Sequence, residues 1–217
     1  MATPMERPQL HVEGKDDQHS VLHILGQHGL SYQQKPVPQK YPEIKPMDGI
    51  EKLLESMAIA IKSGNDKPVG FILDADLSLS SRWQAVCQRL READVDPPGQ
   101  PPSIGFIGQS HKFQTRVGVW LMPDNQREGA LEEFLKSLIH EPDRLIRAAE
   151  EATDNAQRLD ARFPPERRSK AVIHTWLAWQ EEPGKPYGTA ITARYFLHDA
   201  PLAKIFVAWV RTLYQLD

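Results

Sequence analysis

The sequence predicts an α/β fold in which a mostly parallel sheet lies between helices and is followed by a helical C-terminal extension. Residues 69–73 form a continuous apolar run, which is typical of a parallel strand buried on both faces. Strand and helix patterns alternate through the first part of the chain, and only helical periodicity follows Glu128. We therefore expect an α/β domain over residues 8–125 and a helical extension over residues 126–217, packed on that domain.

Apolar spacing, together with proline and glycine breaks, defines the elements of the α/β part. The predicted elements are, in order, a strand at 9–12, a helix at 15–26, a helix capped by Asp48 that ends at Ser63-Gly64-Asn65, a strand at 69–73, a helix at 80–93 and strands at 104–107 and 117–121. The proline-rich segment 31–45 is a predicted loop with room for an edge strand. The last two strands form a hairpin or flank a turn.

Apolar stripes at helical spacing predict the C-terminal helices, one of which spans residues 166–179 after the break at Pro164-Pro165. The last helix carries Phe206 and Trp209, apolar residues beyond the needs of a small core, so we expect them to lie on a docking surface. Residues 144–170 interleave arginines with acidic residues. This pattern is typical of a solvated helix surface, with a nucleic-acid groove as the alternative.

Composition excludes several classes of protein. The 217 residues carry a net charge of −3, which argues against nucleic-acid binding through overall charge. Cys87 is the one cysteine, so neither an intrachain disulfide nor a cysteine zinc cage can form. The chain starts without an apolar run of signal-peptide length, and no stretch reaches the ~20 apolar residues of a membrane span. We expect a cytoplasmic protein that does not enter membranes.

Acidic residues follow three of the predicted strands. Glu13 ends the first, Asp74 and Asp76 end the buried central strand, and Asp124 comes just after the last strand, whereas Asp17 opens the first helix. The carboxyl ends of neighbouring parallel strands share one crevice, so Glu13, Asp74 and Asp76 converge if their strands are neighbours. Carboxylates packed together repel one another unless a cation lies among them, and hard oxygen ligands select Mg²⁺ or Mn²⁺. A simple helix-capping role is the alternative for Asp17.

These residues carry a resemblance to a known family. Strand-Glu13-Gly14-Lys15-Asp16-Asp17, then helix, then strand-Asp74-Ala75-Asp76, resembles a toprim domain, the metal-binding fold shared by topoisomerases, bacterial primases and OLD-family nucleases. The segments VGVWLMPDN at 117–125 and HTWLAWQEEPGKPYG at 174–188 resemble a small bacterial toprim-like family. Members of that family are thought to accompany ATP-binding-cassette-type ATPases.

The resemblance implies a role for each matching residue. Glu13 matches a metal ligand or general acid/base, Asp74 and Asp76 match the metal-binding pair, and Asp17 matches an acidic position that helps to hold a second metal. Lys185 is placed like the late lysine with which OLD-like nucleases offset charge in the transition state. The implied activity is Mg²⁺-dependent phosphodiester hydrolysis of DNA or RNA, since a topoisomerase needs a further domain with a tyrosine nucleophile.

Two other interpretations stay open. The acidic site can hold Mg²⁺ and a phosphorylated ligand without turnover, as in a nucleotide-binding or regulatory toprim module. The segment FILDADLS at 71–78 also resembles the first motif of haloacid-dehalogenase-type phosphatases, in which Asp74 would be the nucleophile and Asp76 the acid. That resemblance leaves Glu13-Gly14 unexplained.

Overall fold

A computed structural model describes residues 7–64 and 66–216. Asn65, which the sequence places at the end of the second helix, lies outside the described residues, as does the last residue of the predicted extension. The five described strands are β1 (Gln9–Val12), β2 (Glu43–Pro46), β3 (Val69–Asp74), β4 (Phe106–Gln109) and β5 (Arg116–Met122). They form one sheet in the order β2-β1-β3-β5-β4, in which only β4 runs antiparallel to its neighbour. The predicted α/β fold with a mostly parallel sheet is therefore confirmed.

Helices follow most strands and make up the C-terminal part. The described helices are α1 (Lys15–Gln27), α2 (Ile50–Lys62), α3 (Leu79–Glu92), α4 (Leu131–Lys136), α5 (Arg144–Arg158), α6 (Arg168–Leu177), α7 (Tyr187–Thr192) and α8 (Pro201–Tyr214). The helix predicted over 166–179 is in fact a 3₁₀ turn at Pro165–Arg167 that continues into α6. The helix α7 has no counterpart in the prediction, because its six residues are too short for an apolar period to emerge.

Each face of the sheet is covered by its own apolar core. Along β3, Phe71 and Leu73 point to α2 and α3, whereas Ile72 points to α1 and the C-terminal helices. Successive side chains along β3 thus enter opposite cores. Because both faces of the strand are buried, its apolar run is continuous. The C-terminal helices share a single core with the sheet and α1, so they form the third layer of the molecule.

The last helix does not present the apolar docking surface that the sequence suggested. Phe206 is fully buried and Trp209 is 2 % exposed. Trp209 also donates a hydrogen bond from Nε1 to the carbonyl oxygen of Phe106, 3.1 Å away. The prediction was wrong because this core covers a wide sheet, and both side chains are needed to fill it.

The sheet topology fixes where a site can form. The chain leaves β1 through α1 to β2 on one side, and it returns through α2 to β3 on the other side. The neighbours β1 and β3 are therefore a topological switch point, and a crevice opens outside their carboxyl ends. None of the described helices is long and apolar enough to cross a membrane.

Candidate functional site

A cleft of about 1220 Å³ lies at the carboxyl ends of β1 and β3. Its walls come from the loops after these strands, from the start of α1 and α4, and from the 3₁₀ turn that leads into α6. Among the described residues, nine carboxylates line the cleft, namely Glu13, Asp16, Asp17, Asp48, Asp74, Asp76, Glu132, Glu133 and Glu166. Five cationic side chains face them, namely Lys15, Arg82, Arg167, Arg168 and Lys170. The cleft is thus strongly acidic.

Glu13 and Asp74 meet at the floor of this cleft, as the sequence predicted. Parallel pairing of β1 with β3 brings the two strand ends side by side. The Glu13 carboxylate accepts a hydrogen bond through Oε1 from the backbone N–H of Asp74, 2.7 Å away. Asp74 in turn accepts a hydrogen bond through Oδ1 from the backbone N–H of Leu131, 3.1 Å away, at the start of α4. Each carboxylate is thus held by one oxygen.

Asp17 belongs to the same cluster and also shapes its helix. Its Oδ2 accepts a hydrogen bond from the backbone N–H of Gly14, 3.0 Å away, which completes a capping interaction at the start of α1. The side chain is nevertheless only 7 % exposed and lines the cleft. The capping role that the sequence left open and a place in the site therefore coexist in one residue.

Asp76 lies on the rim and is engaged elsewhere. Its backbone is left-handed, with φ of 52°, and it exchanges two 2.8 Å backbone hydrogen bonds with Gly129. Its carboxylate forms an ion pair with Arg82, whose Nε donates to the carbonyl oxygen of Asp74, 2.8 Å away. Arg82 thus contacts both aspartates of the Asp-Ala-Asp motif, the backbone of Asp74 and the carboxylate of Asp76.

Glu132 and Lys170 also belong to the site, and sequence reasoning did not single them out. Glu132 has a side chain 12 % exposed and accepts a hydrogen bond from the hydroxyl of Tyr187, 3.2 Å away. Lys170 Nζ lies 2.7 Å from Asp16 Oδ2 and 3.9 Å from Glu132 Oε1. Glu132 has the spacing of an ordinary first-turn helix acid, and Lys170 stands in a stretch typical of a solvated surface. No local signal therefore marked either residue.

Burial and crowding make the carboxylates of the cluster reluctant to ionise. Burial raises the pKa of Glu13 from 4.5 to about 7, against the hydrogen bond from Asp74 that lowers it, and the charge of Asp17 raises it further. Burial likewise raises the pKa of Asp17 from 3.8 to about 6, with Glu132 among the charges that add to the effect. The pKa of Asp74 lies well above its usual value, through burial first and the charge of Asp17 next. Burial also raises the pKa of Glu132.

The donor chemistry of this cluster fits a hard divalent cation. Carboxylate oxygens are the ligands that Mg²⁺ and Mn²⁺ take, and a cation among them would relieve the repulsion that raises these pKa values. Among the described residues, however, no group of three or more His, Cys, Asp or Glu side chains is already arranged to hold a metal ion. The carboxylate of Asp76, at the rim, is instead paired with Arg82.

Comparison with known proteins gives a family. The family model described as "Protein of unknown function (DUF3226)" matches residues 7–215, which is nearly the whole chain. The chain belongs to the DUF3226 family. No curated protein and no solved structure matches it.

In this DUF3226 protein, two of the residues predicted for the site lie outside the cleft. Asp124 accepts backbone hydrogen bonds from Gln126 and Arg127, both at 3.0 Å, and pairs with the Arg127 side chain at 2.6 Å. Lys185 Nζ pairs with Glu182 Oε2 at 2.6 Å. Neither lines the cleft, whereas Lys170 does. The acidic residue that joins Glu13, Asp17 and Asp74 is Glu132, and Lys170 lines the cleft beside them, as does Arg82.

Proposed function

We propose that this protein is a Mg²⁺- or Mn²⁺-dependent phosphodiester hydrolase, a nuclease of the toprim type that acts on DNA or RNA. One observation carries the proposal. Glu13, Asp17, Asp74 and Glu132 are packed together at the switch point of a mostly parallel sheet, in an open cleft, with their pKa values raised. Perturbed carboxylates in a cleft are typical of a functional site. The toprim resemblance of Glu13 and of Asp74-Ala75-Asp76 supports the same chemistry.

The acidic cluster supplies the ligands that the proposed ion needs. Glu13, Asp17, Asp74 and Glu132 would hold it, and Asp76 would join them on release from Arg82. When bound, the ion supplies Lewis acidity and neutralises charge on the phosphate. Each ligand oxygen that already accepts a backbone hydrogen bond is fixed in direction, as for Glu13 and Asp74. Such support from the backbone orients a ligand for binding.

Other side chains of the cleft have roles of their own in this proposal. Glu13, with its pKa raised to about 7 in the free protein, would give up its proton near neutral pH when the ion binds, so binding of the ion should strengthen as the pH rises. Arg82 and Lys170 line the cleft next to the carboxylates and offset charge that develops on a phosphate. Lys170 thereby takes the place that the resemblance implied for Lys185.

A nuclease assay that compares D74N with wild type tests this proposal. Asparagine keeps an oxygen for the N–H of Leu131 and removes the charge, so the variant isolates the electrostatic role of Asp74. With Mg²⁺ or Mn²⁺ and labelled DNA and RNA strands, we expect wild type to cleave and D74N to lose at least about 10²-fold in rate. The matched control is D96N, which neutralises an exposed carboxylate far from the cleft and keeps wild-type activity.

The result of this assay also separates the two alternatives. The arrangement of Asp76 on Arg82, with no preformed three-ligand group in the described residues, favours a nucleotide-binding module without turnover as the second candidate. Absence of cleavage with every ion, together with tight binding of a Mg²⁺-nucleotide, would establish that candidate. Hydrolysis of phosphomonoesters but not of phosphodiesters would instead point to the phosphatase.

We also propose an ATPase of the ATP-binding-cassette type as a partner that controls access to the cleft. The family resemblance supports it, and so does the negative charge of the chain, which gives weak attraction to a polyanion. The buried Phe206 and Trp209 cannot form its docking surface. Co-purification with the neighbouring gene product tests the partnership.

A further inference from the structure

The cations of the cleft fall into two groups. Three are paired with carboxylates: Arg82 with Asp76, Arg168 with Asp154 at 2.7 Å, and Lys170 with Asp16 at 2.7 Å. The other two, Lys15 and Arg167, are exposed and have no carboxylate within ion-pair distance in the part of the chain that the structure describes. Nine carboxylates line the same cleft, so the absence of a partner is not due to a shortage of acids.

Lys15 and Arg167 stand on two different walls of the cleft. Lys15 is the first residue of α1, two residues after Glu13, and Arg167 ends the 3₁₀ turn, three residues before Lys170. The ion pair between Lys170 and Asp16 joins α6 to α1. Lys15 is next to Asp16 in the chain, and Arg167 lies three residues before Lys170. Each unpaired cation is therefore close in sequence to one member of this ion pair. Both charges line the cleft that holds the acidic cluster, one on each of the two elements that this ion pair joins or adjoins.

This arrangement suits a ligand with several separated negative charges. A mononucleotide carries its phosphates in one group, which a cation at one end of the cluster would satisfy. A nucleic-acid strand carries one phosphate per nucleotide, so phosphates lie on both sides of the one that reacts. Side chains that contact such phosphates position the strand, and they are typically Lys and Arg. Ion pairs hold the other three cations in place, whereas Lys15 and Arg167 are available to further phosphates of the strand.

We propose that Lys15 and Arg167 each bind a phosphate next to the reacting one, so that the cleft takes an extended phosphodiester strand in preference to a single nucleotide. The inference rests on the proposed function for the position of the reacting phosphate at the acidic cluster. It assigns both residues a positioning role, because they contact the strand away from the bond that breaks.

Salt-dependent binding of a labelled single strand tests the proposal. Phosphorothioate linkages keep the charge of the strand and resist hydrolysis, so binding is measured in the presence of Mg²⁺ by fluorescence anisotropy. K15Q and R167Q should each weaken binding several-fold and lower the slope of log K against log salt by about 0.7, as the loss of one phosphate contact predicts. The double variant should lose about twice as much slope.

Two matched variants control for the loss of one positive charge anywhere on the surface. Lys204 on α8 and Arg194 are exposed and lie outside the cleft, so K204Q and R194Q should keep the wild-type affinity and slope. A merely structural role of Lys15 or Arg167 would lower affinity without changing the slope.

Several results would overturn the proposal. These are a wild-type slope in both K15Q and R167Q, equal losses for a mononucleotide and for the strand, or no binding of the strand by wild type. The outcome is distinct from that of the nuclease assay. Slopes that fall as predicted without any hydrolysis would refute the proposed function alone, and hydrolysis with unchanged slopes would refute this inference alone.

Discussion

Glu13 combines a structural contact with an unfavourable electrostatic position. Its carboxylate accepts the backbone N–H of Asp74, yet burial and the charge of Asp17 raise its pKa from 4.5 to about 7. The folded protein therefore binds a proton at this site at pH values where the unfolded chain has released it. Stability from this group is complete below the ordinary pKa and is lost as the pH rises through about 7.

The E13Q variant tests that linkage in the absence of divalent ions. Glutamine keeps an oxygen acceptor for Asp74 but does not titrate. Between about pH 5 and about pH 8, the free energy of unfolding of wild type should fall relative to that of E13Q, on the order of 1–3 kcal/mol. Urea unfolding with a chelator at both pH values measures the difference. Parallel pH profiles for the two proteins would show that Glu13 ionises normally in the fold.

At the level of single residues, sequence reasoning found the acids that follow strands and missed those that face them from helices. Glu13, Asp74 and Asp17 follow or flank a clear strand signal, so their meeting could be predicted from the topology alone. Glu132 and Lys170 reach the cleft through the packing of α4 and α6 on the sheet, and tertiary packing leaves no local pattern. Asp124 follows a strand as well, but hydrogen bonds within its own turn hold it outside the cleft.

The contact between α8 and the sheet depends on two paired glycines. Gly70 on β3 and Gly118 on β5 are partners in the parallel register, and Leu213 of α8 packs over both. A Cβ atom at Gly118 would lie 2.5 Å from Leu213 Cδ2, and one at Gly70 would lie 2.5 Å from the Tyr214 hydroxyl. Leu213 is fully buried, so a methyl group at Gly118 has to displace a side chain that is packed in the core.

The G118A variant should accordingly lose about 1–3 kcal/mol of stability, because overpacking forces α8 away from the sheet. The control is G99A, since a Cβ atom at Gly99 meets nothing within 4 Å. Chemical unfolding of both variants gives the free energies. A G118A protein as stable as wild type would mean that α8 moves away from the sheet without cost, and that the close contact at Gly118 does not contribute to stability.

At the level of elements, the strands could be predicted from the sequence better than the packing of the helices on the sheet. The strand at 9–12 is predicted from a short apolar segment, and those at 69–73 and 117–121 from apolar runs, and the structure has β1, β3 and β5 there. Gly70 and Gly118 interrupt these runs in the sequence. Only the structure shows that they allow α8 to pack closely on the sheet. The sequence predicts a surface position for Phe206 and Trp209, because a linear pattern does not show how large an area of the sheet the last helix covers.

Four buried or half-buried carboxyl groups, those of Glu13, Asp17, Asp74 and Glu132, lie together at the switch point between β1 and β3. Topology alone placed this crevice, because neighbouring parallel strands with helices on opposite faces leave a gap at their carboxyl ends. The fold is otherwise a conventional three-layer arrangement with an apolar core on each face. Repulsion among Glu13, Asp17, Asp74 and Glu132 is thus a cost to the free protein that a bound cation would remove.

Thermal melts with and without Mg²⁺ test this view of the free protein. An ion that binds only the folded state stabilises it by about 2.7 kcal/mol at a concentration of 100 Kd, so the Tm of wild type and of D96N should rise with Mg²⁺. D74N should not respond, because it loses a ligand of the cluster. Salt at matched ionic strength separates specific binding from general screening.

The same melts decide what Asp74 does in the free protein. Removal of its charge relieves repulsion with Glu13, Asp17 and Glu132, and asparagine still accepts the N–H of Leu131. D74N should therefore be at least as stable as wild type without Mg²⁺, even though it has lost the response to the ion. A strongly destabilised D74N would contradict this, because Asp74 would then serve the fold as an ionised anchor for the start of α4. In that case the acidic cluster would be maintained for structure, and its raised pKa values would no longer argue for a cation.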